Sequence, residues 1–423
     1  MCFLPWPALG MVVPGVTATA VTTRKHGGGK LLLVSSAGSL LVRGGRVIDP
    51  ASGLDHVADV LVQGGRVAAV GAALDPPPAA ETVDAVGCLV TPGLIDLHTH
   101  VYPGLGDFCL HPDRVGVETG VTTVVDAGTS GVATFGLARR WIDDPDVQTR
   151  VLAFMDPNQI YFATKDFICH KLEIANDERN LDVESTRAAI EANADVAVGF
   201  KVRACYTSDP HISPFLEAAK AASGGRPIMV HLGRFPHTPT ISVGDLLVAL
   251  RPGDVITHAF RGASGLVGAE GKATSVFQDA IDRGVRLDVG HSATDFRFSA
   301  ARILFDQGFL PTTISTDLNV FNVDHPVVSL TETMSKIWAL GVPLTSVIAM
   351  VTANSAAVLQ RCDRLGSLAP GQVGDVSVLR IEEGEFPLSD GFETVTCERR
   401  LAAVGCARAG SWIPARPASP IAA

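Results

Sequence analysis

Leu89-Val90-Thr91-Pro92-Gly93-Leu94-Ile95-Asp96-Leu97-His98-Thr99-His100 is an apolar run that ends in two histidines one residue apart. It reads as a buried strand. Side chains alternate along a strand, so His98 and His100 leave its end on the same side. Two imidazoles converging there can hold a metal ion, and the ion would carry the chemistry. A lone His-x-His is more often a surface accident or a pair satisfied in a core. The rest of the chain changes that balance. It supplies Lys201, His231, His258 and Asp317, each in or at the end of its own strand-like run.

Working outward from His100, strand-like runs recur at 94–100, 121–127, 151–155, 196–202, 227–232, 255–260, 286–290 and 312–317. Helical patterns separate most of them, as at 185–193, 214–222, 273–283 and 298–307. Eight strands alternating with helices predict an α/β fold, a (β/α)8 TIM barrel over 93–359. A doubly wound open sheet is the runner-up, but no GxGxxG opens a helix. Before and after the barrel the pattern is β-like without intervening helices. Residues 39–92 and 360–411 therefore predict a small β-sandwich domain built from both chain ends. Gly44-Gly45 and Gly64-Gly65 read as its hairpin turns.

The chain has 423 residues, 47% hydrophobic and 18% charged, which is globular composition. Its net charge of −10 argues against a nucleic-acid partner. The cysteines at 2, 88, 109, 169, 205, 362, 397 and 406 form no CxxC pair, and scattered free thiols fit a cytoplasmic protein. No apolar run reaches membrane-spanning length, so no membrane is expected. Residues 1–38 lack the positive start of an export signal and read as a disordered or misassigned extension. Residues 412–423 read as a flexible tail.

In a barrel the chemistry sits at the C-terminal strand ends. His98 and His100 end run 1, Lys201 run 4, His231 run 5, His258 run 6 and Asp317 run 8. Six such residues on five strand ends are hard to explain as packing. A buried lysine loses its charge more easily than an exposed one, and a neutral amine can take up carbon dioxide as a carbamate. Arg203 follows Lys201 by two and shares its face, where it could bind a carboxylate or pair with a barrel carboxylate. His291 ends run 7 and could touch substrate or orient a ligand. Tyr102, Asn158 and Arg234 lie on expected strand-end loops. His26, His56, His111, His170, His211, His237 and His325 read as surface or loop residues.

With His98-Thr99-His100, Lys201, His231, His258 and Thr316-Asp317 in place, the pattern resembles the amidohydrolase superfamily of metal-dependent hydrolases. Gly120-Val121-Thr122-Thr123-Val124-Val125-Asp126-Ala127-Gly128, Gly199-Phe200-Lys201-Val202-Arg203, Asp288-Val289-Gly290-His291 and Ile314-Ser315-Thr316-Asp317-Leu318 look like its amidohydrolase/deacetylase branch. The resemblance implies two divalent metal ions, zinc by expectation. His98, His100 and Asp317 would serve one and His231 and His258 the other. Lys201, carboxylated by carbon dioxide, would bridge them.

The resemblance also implies a mechanism. A metal-bridging hydroxide attacks a polarised carbonyl, and Asp317 moves the proton to the leaving group. The expected substrate is a small carboxylated amide or ester losing an acyl group, acetyl by the branch resemblance. Arg203, His291 and Tyr102 are the expected substrate contacts. A cyclic amidase (dihydropyrimidinase/hydantoinase or dihydroorotase-like) is the alternative. Dihydroorotases resemble HxHxR, however, and Tyr102 stands where that Arg would be. D-aminoacylases usually lack a bridging lysine, whereas Lys201 is present. A metal-binding protein without turnover is a third reading. Barrels of this family commonly associate, which implies a homo-oligomer.

Overall fold

The computed structural model describes residues 38–164, 174–233 and 239–416. Residues 1–37, 165–173, 234–238 and 417–423 lie outside the described residues. With them go the expectations for His26, His170, Arg234 and His237, and nearly all of the N-terminal extension. No helix among the described residues is long and apolar enough to cross a membrane.

Seven parallel strands follow one another in chain order through one sheet. They are β6 (Leu94–Thr99), β7 (Val121–Ala127), β8 (Arg150–Met155), β9 (Ala197–Arg203), β10 (Ile228–His231), β11 (Val255–Thr257) and β12 (Arg286–Leu287). Helices cross over between them. They are α2 (Phe135–Ile142), α3 (Val183–Ala192), α4 (Pro214–Ala222), α5 (Val243–Ala249) and α6 (Ser275–Asp282), after a single turn α1 (Pro112–Val115). Sequential parallel strands need such crossovers. α7 (Phe298–Phe305) follows β12, and α8 (Leu330–Ala339), α9 (Leu344–Met350) and α10 (Ala353–Val358) complete the set.

The eighth expected run, 312–317, is not a regular strand. It is still hydrogen-bonded on both sides. Val289 N donates to Thr313 O at 3.1 Å and His291 N to Ser315 O at 3.1 Å. On the other side, Asp317 N donates to His98 O at 2.7 Å and His100 N to Leu318 O at 3.1 Å. The segment therefore joins the two edge strands of the sheet, and the fold is TIM-barrel-like. Its irregularity has a local cause, because Asp317 adopts φ +56° and leaves the extended region.

The chain ends meet in a second sheet. It comprises β1 (Leu40–Asp49), β2 (Leu54–Gln63), β3 (Arg66–Gly71), β4 (Glu81–Asp84), β5 (Leu89–Pro92), β13 (Val376–Ser389), β14 (Thr394–Arg408) and β15 (Ser411–Pro414). Antiparallel pairing of β13 with β5 joins the C-terminal strands to the N-terminal ones. Three expectations need correction here. The strands form one continuous eight-stranded sheet, so two separate facing sheets of a sandwich are not found among the described residues. Gly44-Gly45 is a bulge inside β1, not a turn. A Cβ on Gly45 would lie 2.4 Å from Val90 Cγ2 of β5, so close strand approach, not chain reversal, demands the glycine. Trp412, placed in a flexible tail, pairs with Ala407 instead. Gly64-Gly65 does turn the chain between β2 and β3.

Apolar side chains divide by layer. Phe200 and Val202 of β9 join Phe215 and Ile190 of the helices in one buried cluster. Alternation then leaves Lys201 and Arg203 on the opposite, inward side. Leu97, Phe154, Met229 and Val255 form a second buried cluster with Val358 and Leu359. The second sheet has its own cluster around Val42, Val60, Val90 and Val376. Arg150 of β8 pairs with buried Asp375 beside β13 and ties sheet to barrel. Burial raises the Asp375 proton affinity, but the charges of Arg150 and Arg408 outweigh it and hold the carboxyl below its usual range.

Candidate metal centre

His98, His100, Lys201, Arg203, His231, His258 and Asp317 line one cavity of about 260 Å³. It opens where the strand ends of β6, β9, β10 and β11 meet. The Nε2 atoms of His100 and His98 lie 3.0 and 3.4 Å from Asp317 Oδ1. Lys201 Nζ lies 2.9 Å from His98 Nε2. The rings of His231 and His258 pack edge to face, 4.4 Å between centroids, and His258 lies 5.1 Å from His98. Among the described residues, His98, His100 and Asp317 are the group of three whose ligand atoms fall within 4.8 Å of one another.

Hydrogen bonds behind the rings decide which nitrogen faces the cavity. Thr257 Oγ1 donates its one proton to Asp288 Oδ2 at 2.8 Å, so it accepts from His98 Nδ1 at 3.0 Å. Thr129 Oγ1 donates to Asp126 Oδ2 at 2.7 Å, so it accepts from His100 Nδ1 at 2.8 Å. His258 Nδ1 donates to Gly290 O at 2.6 Å. Each Nδ1 thus holds the proton, and each Nε2 turns a lone pair to the cavity. Asp317 Oδ1 is buried without a hydrogen bond and faces two such lone pairs. Acceptors packed against acceptors call for a positive charge among them. Nitrogen and carboxylate donors suit a divalent cation, so these residues fit a metal.

Burial pulls His98 and His231 well below the usual imidazole range and lowers His258 too, which keeps them neutral as ligands must be. Burial, then the charge of Arg203, pulls Lys201 down to about 7. Burial pushes Asp317 up, but His100, His258 and Lys201 packed round it would favour its anion whenever they carry protons, leaving it below the usual carboxylate range. Two of these residues sit in the left-handed region, His258 at φ +65° and Asp317 at φ +56°. Such conformations cost about 1–3 kcal/mol each and persist where surrounding structure holds them. Gly290 (φ +47°) permits the His258 contact, since a Cβ there would lie 2.2 Å from Thr257 Oγ1.

The other expected site residues divide. Arg203 lines the cavity, with Nη1 3.0 Å from Asp156 Oδ2 and its guanidinium over the Tyr161 ring. Tyr102 does not line the cavity. It is fully buried in the apolar cluster that also holds Val101, Leu110 and Val124. His291 is fully buried as well and is not among the lining residues. Its Nδ1 donates to Ser292 O at 2.7 Å, and Lys336 Nζ lies 3.2 Å from its Nε2. Asn158 bonds to Asp156 at 2.6 Å, in a separate small void beside Arg203. Sequence reading passed over Arg261, Asp295, Phe108 and Phe321, all in the cavity wall. Arg261 pairs with Asp295 at 3.1 Å. Its place three residues after His258 is the one local signal for it.

No family model matches the chain. A deacetylase of Agrobacterium fabrum is 34% identical over 348 residues, 81% of this chain and 83% of that protein. A dihydroorotase crystal structure superimposes with a TM-score of 0.78 at 31% identity, covering 89% of this chain and 99% of that one. The chain belongs to the amidohydrolase superfamily. An adenine deaminase structure is similar to this amidohydrolase to the same degree, with a TM-score of 0.78, 26% identity and coverage of 89% and 100%. The deacetylase relative agrees with the deacetylase-branch phrases around Lys201 and Asp317. The ring of histidines at the strand ends is therefore set in a hydrolase-family barrel.

Proposed function

We propose that this amidohydrolase removes a short acyl group, acetyl by the relatives' names, from a small carboxylated amide or ester. The observation that carries the reading is Asp317 Oδ1 buried against His98 and His100 in a cavity that also presents Lys201, His231, His258 and Arg203. A cavity of about 260 Å³ is at the lower edge of ordinary ligand sites, which favours a small substrate. Two divalent cations, zinc by donor set, held by His98, His100 and Asp317 and by His231 and His258 with a shared Lys201 carbamate, would supply Lewis acidity and a water acidic near neutral pH.

The chain's own groups do the rest. Asp317, ionised at neutral pH, takes a proton from the attacking water and gives it to the departing nitrogen or oxygen. Arg203 offers a guanidinium held over the Tyr161 ring and anchored by Asp156, suited to a substrate carboxylate. Phe108 and Phe321 stack near the mouth and limit water around the reacting carbonyl.

A cyclic amidase is the second reading, favoured by the similarity to the dihydroorotase structure. Against its dihydroorotase form, Tyr102 is neither an arginine nor in the cavity. The deciding assay is acetate release by zinc-loaded protein across N-acetyl amino acids and O-acetyl hydroxy acids, beside ring opening of hydantoins and dihydropyrimidines. Acetate release supports the deacylase. Ring opening alone replaces it with the amidase, and bound metal with neither reaction leaves a metal-binding protein.

The relay behind His98 has its own test. Thr257→Val keeps the shape but removes the acceptor for Nδ1–H. Zinc affinity, read by chelator competition, is expected to fall about 10–100-fold. Thr257→Ser, which keeps the hydroxyl, restores most of it. Equal affinity in the valine variant would show that the relay does not set the ligand.

A further inference from the structure

The helix that leaves the cavity wall has a poor start of its own. α7 begins at Phe298, and its N-cap residue is Arg297, which makes no side-chain cap hydrogen bond. An arginine has no acceptor to offer the exposed N–H groups of a helix start. The acceptor arrives from a residue far along the chain. Asp390 Oδ2 takes the Phe298 N–H at 2.7 Å, across 92 positions. Asp390 lies at the tip of the β13–β14 hairpin, which springs from the second sheet.

Asp390 is nearly fully buried and is itself held. Its Oδ1 accepts from Phe392 N at 2.8 Å and Glu393 N at 2.7 Å. Three further contacts join the tip to the same stretch. Arg297 stacks its guanidinium on the Phe392 ring. Arg302 pairs with Glu393 at 2.8 Å. Gly391 is wedged so closely that a Cβ there would lie 3.1 Å from Ala293 O and 3.3 Å from Pro326 Cγ. Behind the stretch, Lys336 bonds to Pro326 O at 2.5 Å and meets His291, which holds Ser292 O.

What the tip grips is a wall of the cavity. Ser292, Ala293, Thr294 and Asp295 all line it, and Asp295 pairs with Arg261, another lining residue. Arg297 N also donates to Phe260 O, two residues beyond His258. We propose that the hairpin tip, through Asp390 and Phe392, is a positioning element that clamps the 292–298 loop and so sets the cavity wall against which substrate is held. The tip touches no residue of the His98, His100 and Asp317 group in any contact described above. Its effect therefore falls on substrate fit and leaves the bond-making step intact. The proposal rests on the reading of this cavity as the hydrolytic site.

The test uses full-length, metal-loaded protein with Asp390→Ala and Phe392→Ala. Amide hydrogen exchange is followed by mass spectrometry, and steady-state kinetics are measured on whichever compound the wild type hydrolyses. In Asp390→Ala, exchange over 292–301 is expected to rise about tenfold, the effect of a lost helix cap. Exchange in β6 to β9 and metal content stay as in the wild type. KM is expected to rise about fivefold or more with kcat within about twofold, the signature of lost ground-state fit. Phe392→Ala, at a residue 54% exposed, gives the same pattern at smaller size and decides the matter if Asp390→Ala fails to fold. Unchanged exchange over 292–301, an even rise across the chain, or a fall in kcat at constant KM would overturn the clamp. If no compound is hydrolysed, the functional reading fails while the exchange result still decides the clamp.

Discussion

Asp317→Asn is expected to lower acyl release by about 10²–10⁴-fold, the size of a lost general base and acid. The amide keeps the shape of the carboxylate but cannot take up a proton. Steady-state rates on the best acetyl substrate, with zinc content measured on the same sample, are the check. Asn is also a weaker ligand than a carboxylate, so a metal-poor variant would report ligand loss and not proton transfer. The informative result is a protein that keeps its zinc and loses its rate. The variant should fold, because the backbone of Asp317 is fixed independently of its carboxylate. Its N–H bonds to His98 O, and its carbonyl accepts from Asn319 and Asn322 at 2.8 Å. A variant with full zinc and full rate would remove Asp317 from the chemistry.

Lys201→Ala has the second large effect. His231 and His258 are two neutral donors, and no carboxylate or third histidine joins them in a ligand group among the described residues. A second cation held there depends on Lys201 becoming a carbamate, which contributes oxygen ligands that an amine lacks. On the proposed two-cation reading, the expected outcome is a fall from two metal ions per chain to one, with acyl release down at least about 100-fold, since each cation would activate water or carbonyl. Metal analysis beside kinetics reads it. The pH dependence has a definite sign. Burial and the Arg203 charge bring Lys201 to about 7, so the reactive neutral amine predominates above that pH and is lost below it. At a fixed concentration of dissolved carbon dioxide, activation of metal-free protein by zinc should therefore quicken as pH rises through 7. Two metal ions and a full rate in Lys201→Ala would sink the bridging role.

Much of this was legible in the linear chain, because the relevant signals are local. Period-two alternation puts His98 and His100 on one side, and Lys201 with Arg203 on another, before any tertiary contact exists. Strand-like runs separated by helical ones require crossovers, and crossovers require parallel order. The strand-end positions of His231, His258 and Asp317 follow from the same pattern, and the cavity contains all of them.

What the chain does far from each residue was not legible. Gly44-Gly45 looks like a turn locally, but Val90 of β5 presses on Gly45 and makes it a bulge. Tyr102 and His291 look like pocket residues by position, yet packing buries both away from the cavity. The relay from Asp288 through Thr257 to His98 spans 31 and then 159 positions, so no spacing rule reveals it. The same holds for Asp390, which caps a helix 92 residues upstream. Local sequence determined which side chains each strand end presents, since backbone geometry alone sets that. Only the closing of the sheet on segment 312–317, and of the second sheet on the barrel, decided which of them meet, because those contacts join residues that no local rule relates.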